Sequence, residues 1–186
     1  MILAVPTQQV RLKGREKVQT LSLLARQALM VSSDKSGVFL DELEKDEKGS
    51  PLPHEGNHWS LSHKEKYVCA VTAPEKIGID IEEIQPQPER LFRKIVDETE
   101  WGLTDDPRWH LFFRYWTSKE ATLKATGTGL SGLSDCRIDR VIDDRHLLVS
   151  HMGCRWEIEH VFFNSHVASV VTNGRQTEWS IPKRLQ

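Results

Sequence analysis

The sequence predicts an α+β fold, because helical segments occur together with short strand-like runs that form antiparallel hairpins near the C-terminus. Residues 15–31 carry apolar side chains at helical spacing. Residues 77–82 alternate isoleucine with glycine or an acid, which is the period of a half-buried strand. A chain of 186 residues with 38% hydrophobic side chains can bury a core of this kind.

The first predicted elements are a helix, a loop and three strands. The helix covers residues 15–31, and its apolar face consists of Val18, Leu21, Leu24, Ala25, Ala28 and Leu29. Residues 41–57 are charged and then rich in proline and glycine, which predicts an exposed loop. Strands are predicted at residues 59–63, 67–72 and 77–82, where β-branched and aromatic side chains are enriched.

Two helices and four strands follow. The helix predicted over residues 89–103 has an apolar face of Leu91, Phe92, Ile95 and Val96. The next helix starts with Asp105 or Asp106 as N-cap and Pro107 in its first turn, and it ends at Gly127. The strand-like runs after it are residues 136–142, 146–150, 155–163 and 166–172.

The composition argues against several classes of protein. The net charge is −2, so the chain has no broad basic surface for nucleic acid or anionic membranes. The three cysteines, Cys69, Cys136 and Cys154, form no CxxC motif, which argues against disulfides and structural zinc and suits a reducing cytoplasm. The N-terminal apolar run is too short for a signal peptide, and no stretch approaches the length of a membrane span.

Two carboxylates on the third strand are candidates for a metal site. Asp80 and Glu82 are two residues apart, so they project from the same face of the strand, opposite the isoleucines. Two like charges this close repel unless a cation lies between them, and Mg²⁺ prefers carboxylate and phosphate oxygens. A solvated strand face is the alternative interpretation. Gly78 favours the functional one, since a strand glycine often marks close approach of a ligand or another backbone.

The long helix carries a second candidate pair. Glu120 and Lys124 are four residues apart and lie on one helix face, where a surface ion pair is the simplest interpretation. Trp116 extends the same row, and the helix is otherwise apolar, so it is expected to pack on the sheet that carries Asp80. His63 ends a strand that precedes the Asp80 strand by a single hairpin, although a lone histidine is more often structural or exposed.

Taken in order, the segments WSLSH (59–63), IGIDIEE (77–83) and WTSKEATLKATGTGL (116–130) resemble the motifs of a known family. They are similar to those of the 4′-phosphopantetheinyl transferases of the surfactin-synthetase-activating type. That family's middle motif is G-(I/V)-D-(I/V/L)-E, and its last is W-(S/T/C)-x-K-E-(A/S)-x-x-K followed by G-x-G-L. Both are present here without gaps, and the resemblance covers residues 45–135.

The resemblance implies a fold of two pseudo-two-fold-related α+β halves, residues 1–84 and 85–186, with the active site in the cleft between them. The two halves in one chain favour a monomer. The implied enzyme is a holo-[acyl-carrier-protein] synthase, a 4′-phosphopantetheinyl transferase. It moves the 4′-phosphopantetheine arm of coenzyme A to a serine of an acyl or peptidyl carrier protein and releases adenosine 3′,5′-bisphosphate.

The resemblance also implies roles for the acids and the helical lysine. Asp80, Glu82 and Glu120 would bind Mg²⁺, or alternatively Mn²⁺, on the pyrophosphate of coenzyme A. Lys124 would contact that phosphate or assist the leaving group, which is consistent with a cation offsetting developing negative charge. Glu120, directly or through a metal-bound water, is the candidate base for the carrier serine.

The remaining implied ligands lie at the other end of coenzyme A. Lys119 would lie beside the phosphates, while Ser62 and His63 would hold the nucleotide 3′-phosphate. The chain departs from the family pattern here, because Lys64 replaces the serine that usually follows the histidine. Ser50 replaces the basic residue of a Gly-Lys/Arg-Pro motif.

Two other functions fit part of this pattern. A Mg²⁺-dependent nuclease also uses clustered acids and a lysine, but its lysine usually lies two residues from the acid on a strand, and the chain lacks a basic surface. A relative that binds carrier proteins without catalysis is the second alternative, and its inactivity would have to come from the altered coenzyme A pocket.

Overall fold

The computed structural model describes residues 1–105 and 108–182. The first elements are β1 (Ile2–Ala4), α1 (Thr7–Val10), α2 (Gly14–Ser36), β2 (His58–His63), β3 (Tyr67–Ala73) and β4 (Ile79–Glu83). The later elements are α3 (Glu89–Ile95), α4 (Glu98–Trp101), α5 (Arg108–Thr126), a 3₁₀-helix (Gly129–Asp135), β5 (Arg137–Val141), β6 (His146–His151), β7 (Cys154–Phe163) and β8 (His166–Val171).

A three-stranded antiparallel sheet and helix α2 form the first half of the fold. The strand order is β1-β3-β2, and β2 and β3 form a hairpin. Leu21, Ala25 and Leu29 recur at helical spacing along α2 and are buried, so this face of the helix packs on the sheet. They share a core with Trp59 of β2 and Val68 of β3.

The second half is a five-stranded antiparallel sheet covered by helix α5. Its strand order is β4-β8-β7-β6-β5, and β5 to β8 follow one another as hairpins. Phe112, Tyr115 and Leu123 of α5 are buried in one core with Leu147 and Val149 of β6. The helix therefore contributes one continuous apolar face to this half.

Strand β4 lies between the two halves. Its backbone pairs with β8, and its start is also tied to β2, because the amide of Ile79 donates to Ser60 Oγ at 3.1 Å. The two isoleucines of β4 belong to an apolar layer to which both sheets contribute. This layer, called the seam below, consists of Ile2, Cys69, Ile79, Ile81, Ala168 and Val170.

Gly78, just before β4, allows helix α5 to approach the strand closely. A Cβ atom at this position would lie 1.9 Å from the carbonyl oxygen of Ala121 and 2.8 Å from the amide nitrogen of Ala125. Both atoms belong to the helix backbone, which a side-chain rotation cannot move away. Only glycine permits this contact, as the strand glycine in the sequence indicated.

The α+β class predicted from the sequence is confirmed. The predicted helix over residues 15–31 lies within α2, and every predicted strand has a counterpart. The C-terminal runs form the expected antiparallel hairpins. Residues 41–57 are irregular and mostly exposed, as expected of the proline- and glycine-rich segment.

The prediction of one continuous helix over residues 89–103 is wrong. The chain forms two short helices, because Val96 adopts an extended conformation and Asp97 starts a new helix. The Asp97 side chain accepts hydrogen bonds from the amides of Thr99 and Glu100, and Glu100 accepts one from the amide of Asp97. This capping box favours a new helix start over continuation of the previous helix.

Several sequence predictions are not tested by these observations. Asp106 and Pro107, proposed for the start of the long helix, lie outside the described residues. The division of the chain after residue 84 and the pseudo-two-fold relation of its halves stay predictions. In the part of the chain that the structure describes, no helix has the length and apolar character needed to cross a membrane.

We expect Gly78→Ala to lower the free energy of unfolding by about 3 kcal/mol, because the added methyl group would overlap the α5 backbone and force the helix away from β4. Urea denaturation followed by circular dichroism measures this change. Gly102→Ala is the matched control, since a Cβ there would meet its nearest neighbour at 3.6 Å, an ordinary contact. Equal stability of the two variants would contradict the importance of the close approach.

Candidate functional site

Strand β4 and helix α5 bring three acids and one lysine together. Asp80 and Glu82 alternate along β4 with the buried Ile79 and Ile81, so the carboxylates leave the opposite face of the strand. Glu120 lies on α5 at the turn that contacts Gly78, where the helix is closest to the strand. Convergence of these residues therefore follows from the packing of one helix on one strand.

Asp80 is the most enclosed of the three acids, with 6% of its surface exposed. Its Oδ1 atom accepts hydrogen bonds from Ser62 Oγ at 2.7 Å and from Lys124 Nζ at 2.8 Å. Its Oδ2 atom is buried and has no hydrogen-bond partner within the described residues. A buried carboxylate oxygen without a donor is costly, so this atom is an open acceptor for a ligand.

Glu82 shares this environment and has its own counter-ion. Burial raises the pKa of the Glu82 carboxyl, and the charge of Asp80 raises it further. Hydrogen bonds from Lys64 and Trp116 act in the opposite direction. The Lys64 ammonium forms an ion pair with Glu82 Oε2.

Glu120 has the largest pKa shift among the three acids. Burial raises its pKa to about 7, and the neighbouring charges of Asp80 and Glu82 also raise it, while Lys124 opposes them. The charges of Asp80 and Glu82 therefore act on the helical acid.

Lys124 links the helix to the strand. Its Nζ atom donates to the carbonyl oxygen of Ile79 at 3.0 Å and to Asp80 Oδ1 at 2.8 Å. Burial alone would lower the pKa of Lys124, but the charge and hydrogen bond of Asp80 raise it above its usual value. The lysine is therefore a fixed positive charge beside the carboxylates.

A cleft of about 220 Å³ opens beside this cluster. Glu120 and Lys124 form part of one wall, and the irregular segment before β2 contributes Lys45 and Lys48. The cleft is also lined by Gly49, Ser50, Pro51, Ser60, Leu61, Leu123 and Gly129. Three lysines at one cleft suit a ligand with several negative charges.

His63 and Ser62 occupy different positions relative to this cluster. Ser62 is buried and donates to Asp80, so its hydroxyl positions a carboxylate. His63 is exposed at the end of β2, where partial burial of its ring and the charge of Lys124 lower its pKa. The structure thus places both residues beside the acid cluster, although only the histidine side chain faces solvent.

Lys119 is not part of the cluster, contrary to the position expected beside the phosphates. Only 3% of its surface is exposed, and its Nζ atom donates to the carbonyl oxygen of Ile95 at 2.6 Å. The ammonium also forms an ion pair with Glu100 at 2.7 Å. Successive residues of a helix point about 100° apart, so the neighbour of Glu120 faces the core between α5 and α4.

Sequence reasoning missed three residues that shape this region. Glu100 is the buried partner of Lys119, Lys64 is the partner of Glu82, and Lys45 lines the cleft. A signal existed for Glu100, because D-x-x-E from Asp97 to Glu100 is a capping-box pattern. Lys64 directly follows the WSLSH segment, but nothing in its spacing indicates a pair with Glu82, and Lys45 lies in a segment that carries no motif.

The donor chemistry of the cluster fits a hard divalent cation. Among the described residues, no group of three or more His, Cys, Asp or Glu side chains is already arranged to hold a metal ion. The side chains of Asp80 and Glu82 are instead paired with lysines. A bound cation would supply a partner for the unpartnered Asp80 Oδ2 atom. It would also offset the burial and the charge repulsion that together raise the Glu120 pKa.

The chain is similar to one group of known proteins. Residues 76–171 match the model of the 4′-phosphopantetheinyl transferase superfamily. The chain is 37% identical over 97 residues to the 4′-phosphopantetheinyl transferase HetI of Nostoc sp., a match that covers 48% of this chain and 41% of that protein. It is 29% identical over 105 residues to the 4′-phosphopantetheinyl transferase Sfp of Bacillus subtilis, covering 52% and 47%.

A solved structure, Thermotoga maritima holo-[acyl-carrier-protein] synthase, is 24% identical and aligns with a TM-score of 0.42, covering 52% of this chain and 61% of that one. The chain spans about half the length of the curated relatives it matches.

We expect Glu120→Gln to stabilise the metal-free protein at pH 8 but not at pH 5. A carboxyl whose pKa is raised on folding contributes stability that is present below pH 4.5 and lost as the pH rises through about 7. Glutamine does not ionise, so the variant does not lose this stability as the pH rises. We estimate the gain at pH 8 as about 1 kcal/mol, or about 3 °C in melting temperature, because the side chain is partly exposed and solvent screens its charge.

Thermal melts in EDTA at the two pH values measure the difference. A gain of the same size at pH 5 and pH 8 would show that the effect of the substitution does not come from the charge of Glu120.

We expect Lys119→Met to lower the free energy of unfolding by about 3–5 kcal/mol, because it leaves the 2% exposed Glu100 as an unpaired buried charge. Lys35→Met is the matched control, since Lys35 pairs with Glu178 at 3.2 Å on the surface and should contribute less than about 0.5 kcal/mol. Chemical denaturation of both variants checks the contrast, and equal losses would contradict a structural role for the buried pair.

Proposed function

Because the chain belongs to the 4′-phosphopantetheinyl transferase superfamily, we propose that it transfers the 4′-phosphopantetheine arm of coenzyme A to a serine of an apo acyl or peptidyl carrier protein. The observation that supports this most is the meeting of Asp80, Glu82 and Glu120 with Lys124 beside a lysine-lined cleft. A diphosphate donor needs a divalent cation and fixed positive charge, and this cluster offers ligands for the first and supplies the second.

Asp80, Glu82 and Glu120 would hold Mg²⁺, or Mn²⁺ in its place. The cation would neutralise the oxygens of the coenzyme A diphosphate and so stabilise charge that builds up during transfer. The Asp80 Oδ2 atom is already free to bind it, because Ser62 and Lys124 both occupy the other oxygen.

In the proposed reaction, the carrier serine oxygen forms a bond to the phosphorus that carries pantetheine. The bond from that phosphorus to the oxygen of the adenosine 5′-phosphate breaks, and adenosine 3′,5′-bisphosphate leaves. Glu120 would accept the serine proton, since it is the carboxylate that lines the cleft beside Lys124. Lys124 stabilises the negative charge on the leaving group, since its ammonium is held rigidly by Ile79 and Asp80.

The rest of coenzyme A would extend along the cleft. Lys45 and Lys48 are placed to bind phosphate oxygens, and they supply the positive charge that Ser50 lacks at the family's basic position. His63 lies at the end of β2 near Lys124 and Lys45 and would contact the 3′-phosphate. Lys119 has no part in this proposal, because its ammonium is buried against Glu100.

The activity is tested by incubating apo carrier proteins with coenzyme A, Mg²⁺ and the wild-type protein, and by measuring the intact mass of the carrier. Gain of the phosphopantetheine arm is the expected result. No gain across several carriers would overturn the transferase and favour the non-catalytic relative, while metal-dependent cleavage of plasmid DNA would favour the nuclease.

We expect Asp80→Ala and Glu120→Ala each to lower kcat/KM for transfer by at least about 100-fold, because each removes a group that stabilises the transition state. Glu83→Ala is the matched control. It removes a carboxylate from the next position of the same strand, where the side chain points to the other face and pairs with Lys66. Circular dichroism checks folding, and full turnover by either acid variant would show that the metal site lies elsewhere.

A further inference from the structure

Lys64 stands out because it binds a proposed metal ligand from outside the cluster. It lies in the turn between β2 and β3, which is closed by a hydrogen bond from its own amide to the carbonyl oxygen of Tyr67 at 2.8 Å. Its ammonium reaches across to strand β4 and pairs with Glu82 Oε2. The side chain of Glu82 is only 18% exposed, so this pair is more enclosed than a typical surface ion pair.

The same turn contains a second lysine that makes a similar pair without touching the cluster. Lys66 pairs with Glu83 at 2.5 Å, and the side chain of Glu83 is 20% exposed. Consecutive residues of a strand point to opposite faces, so Glu83 faces away from Asp80 while Glu82 faces the site. The chain therefore contains two lysine–glutamate pairs of like chemistry, of which one includes a proposed metal ligand.

Lys64 and a divalent cation would compete for the same carboxylate. A metal bound by Glu82 needs an oxygen lone pair and the negative charge of the carboxylate, and the Lys64 ammonium already contacts Oε2 and offsets that charge. Lys124 acts in a similar way on Asp80, but it leaves Oδ2 free and bonds a backbone carbonyl as well. Lys64 is thus an internal cation that opposes metal binding at Glu82.

We propose that Lys64 is an internal counter-ion that competes with the divalent cation for Glu82 and so sets the metal affinity of this protein. The proposal rests on the proposed function, because it takes Asp80, Glu82 and Glu120 as the metal ligands. When no metal is bound, Lys64 offsets the charge of Glu82 and stabilises the cluster. When a metal binds, the ammonium gives up the carboxylate, which weakens the observed binding.

The test is a titration of Mn²⁺ into coenzyme-free protein, followed by calorimetry and by the electron paramagnetic resonance signal of free Mn²⁺. The variants are Lys64→Gln and its matched control Lys66→Gln. Loss of the competing pair is expected to lower the Kd for Mn²⁺ by up to about fivefold in Lys64→Gln, the factor that corresponds to a partly exposed ion pair. The Kd of Lys66→Gln should stay at the wild-type value.

A double-mutant cycle identifies the carboxylate involved. In a Glu82→Gln background, Lys64→Gln should no longer change the Kd for Mn²⁺, because the carboxylate for which Lys64 and the metal compete is absent. The melting temperature gives an independent measure: Mn²⁺ should raise it more in Lys64→Gln than in the wild type, since tighter binding to the folded state stabilises it more.

The outcomes separate this proposal from the proposed reaction. Equal Kd values for wild type and Lys64→Gln would overturn the counter-ion role, and so would an equal gain in Lys66→Gln. If the wild type and all variants bind no Mn²⁺, the metal site itself is wrong and the role of Lys64 falls with it. If the metal data agree but no carrier gains a phosphopantetheine arm, the transfer reaction is overturned while the role of Lys64 stands.

Discussion

The contact between the backbone of helix α5 and the start of strand β4 determines the arrangement of the candidate site. Gly78 leaves room for the carbonyl oxygen of Ala121, and no other residue could do so without moving the helix. This contact sets the distance between strand β4, which carries Asp80 and Glu82, and helix α5, which carries Glu120. The site is thus a property of one packing interface, and any change that separates the helix from the strand would separate the acids as well.

Charge balance explains how three acids can lie close together in this fold. Three partly or fully buried acids in one place would be unfavourable, and the raised pKa of Glu120 reflects this. Lys64 and Lys124 pair with Glu82 and Asp80 and offset part of this charge. Because of these ion pairs, a cation that binds the acids would replace contacts with Lys64 and Lys124. This exchange limits the net free energy of cation binding.

The sequence predicted most of the helices and strands, and the elements on which the acids lie, because both depend on local patterns. The alternation of a strand places Asp80 and Glu82 on one face of β4, and helical spacing places Glu120 and Lys124 on one face of α5. What the spacing could not predict was the partner of Lys119, since a helical position gives the direction of a side chain and not the group it meets. That partner belongs to a different helix, α4, and only the tertiary fold brings the two together.

The two hydroxyl contacts between β2 and β4 determine how the two sheets are aligned relative to each other. Ser60 accepts from the amide of Ile79 and Ser62 donates to Asp80, although the two strands belong to sheets that are hydrogen-bonded separately. Sliding one sheet past the other by a single residue would present Leu61 or His63 to the carboxylate in place of a hydroxyl. The alignment of the two halves is therefore specified by small polar side chains beside the apolar seam, where a mismatch would remove one of the two donors of a buried carboxylate.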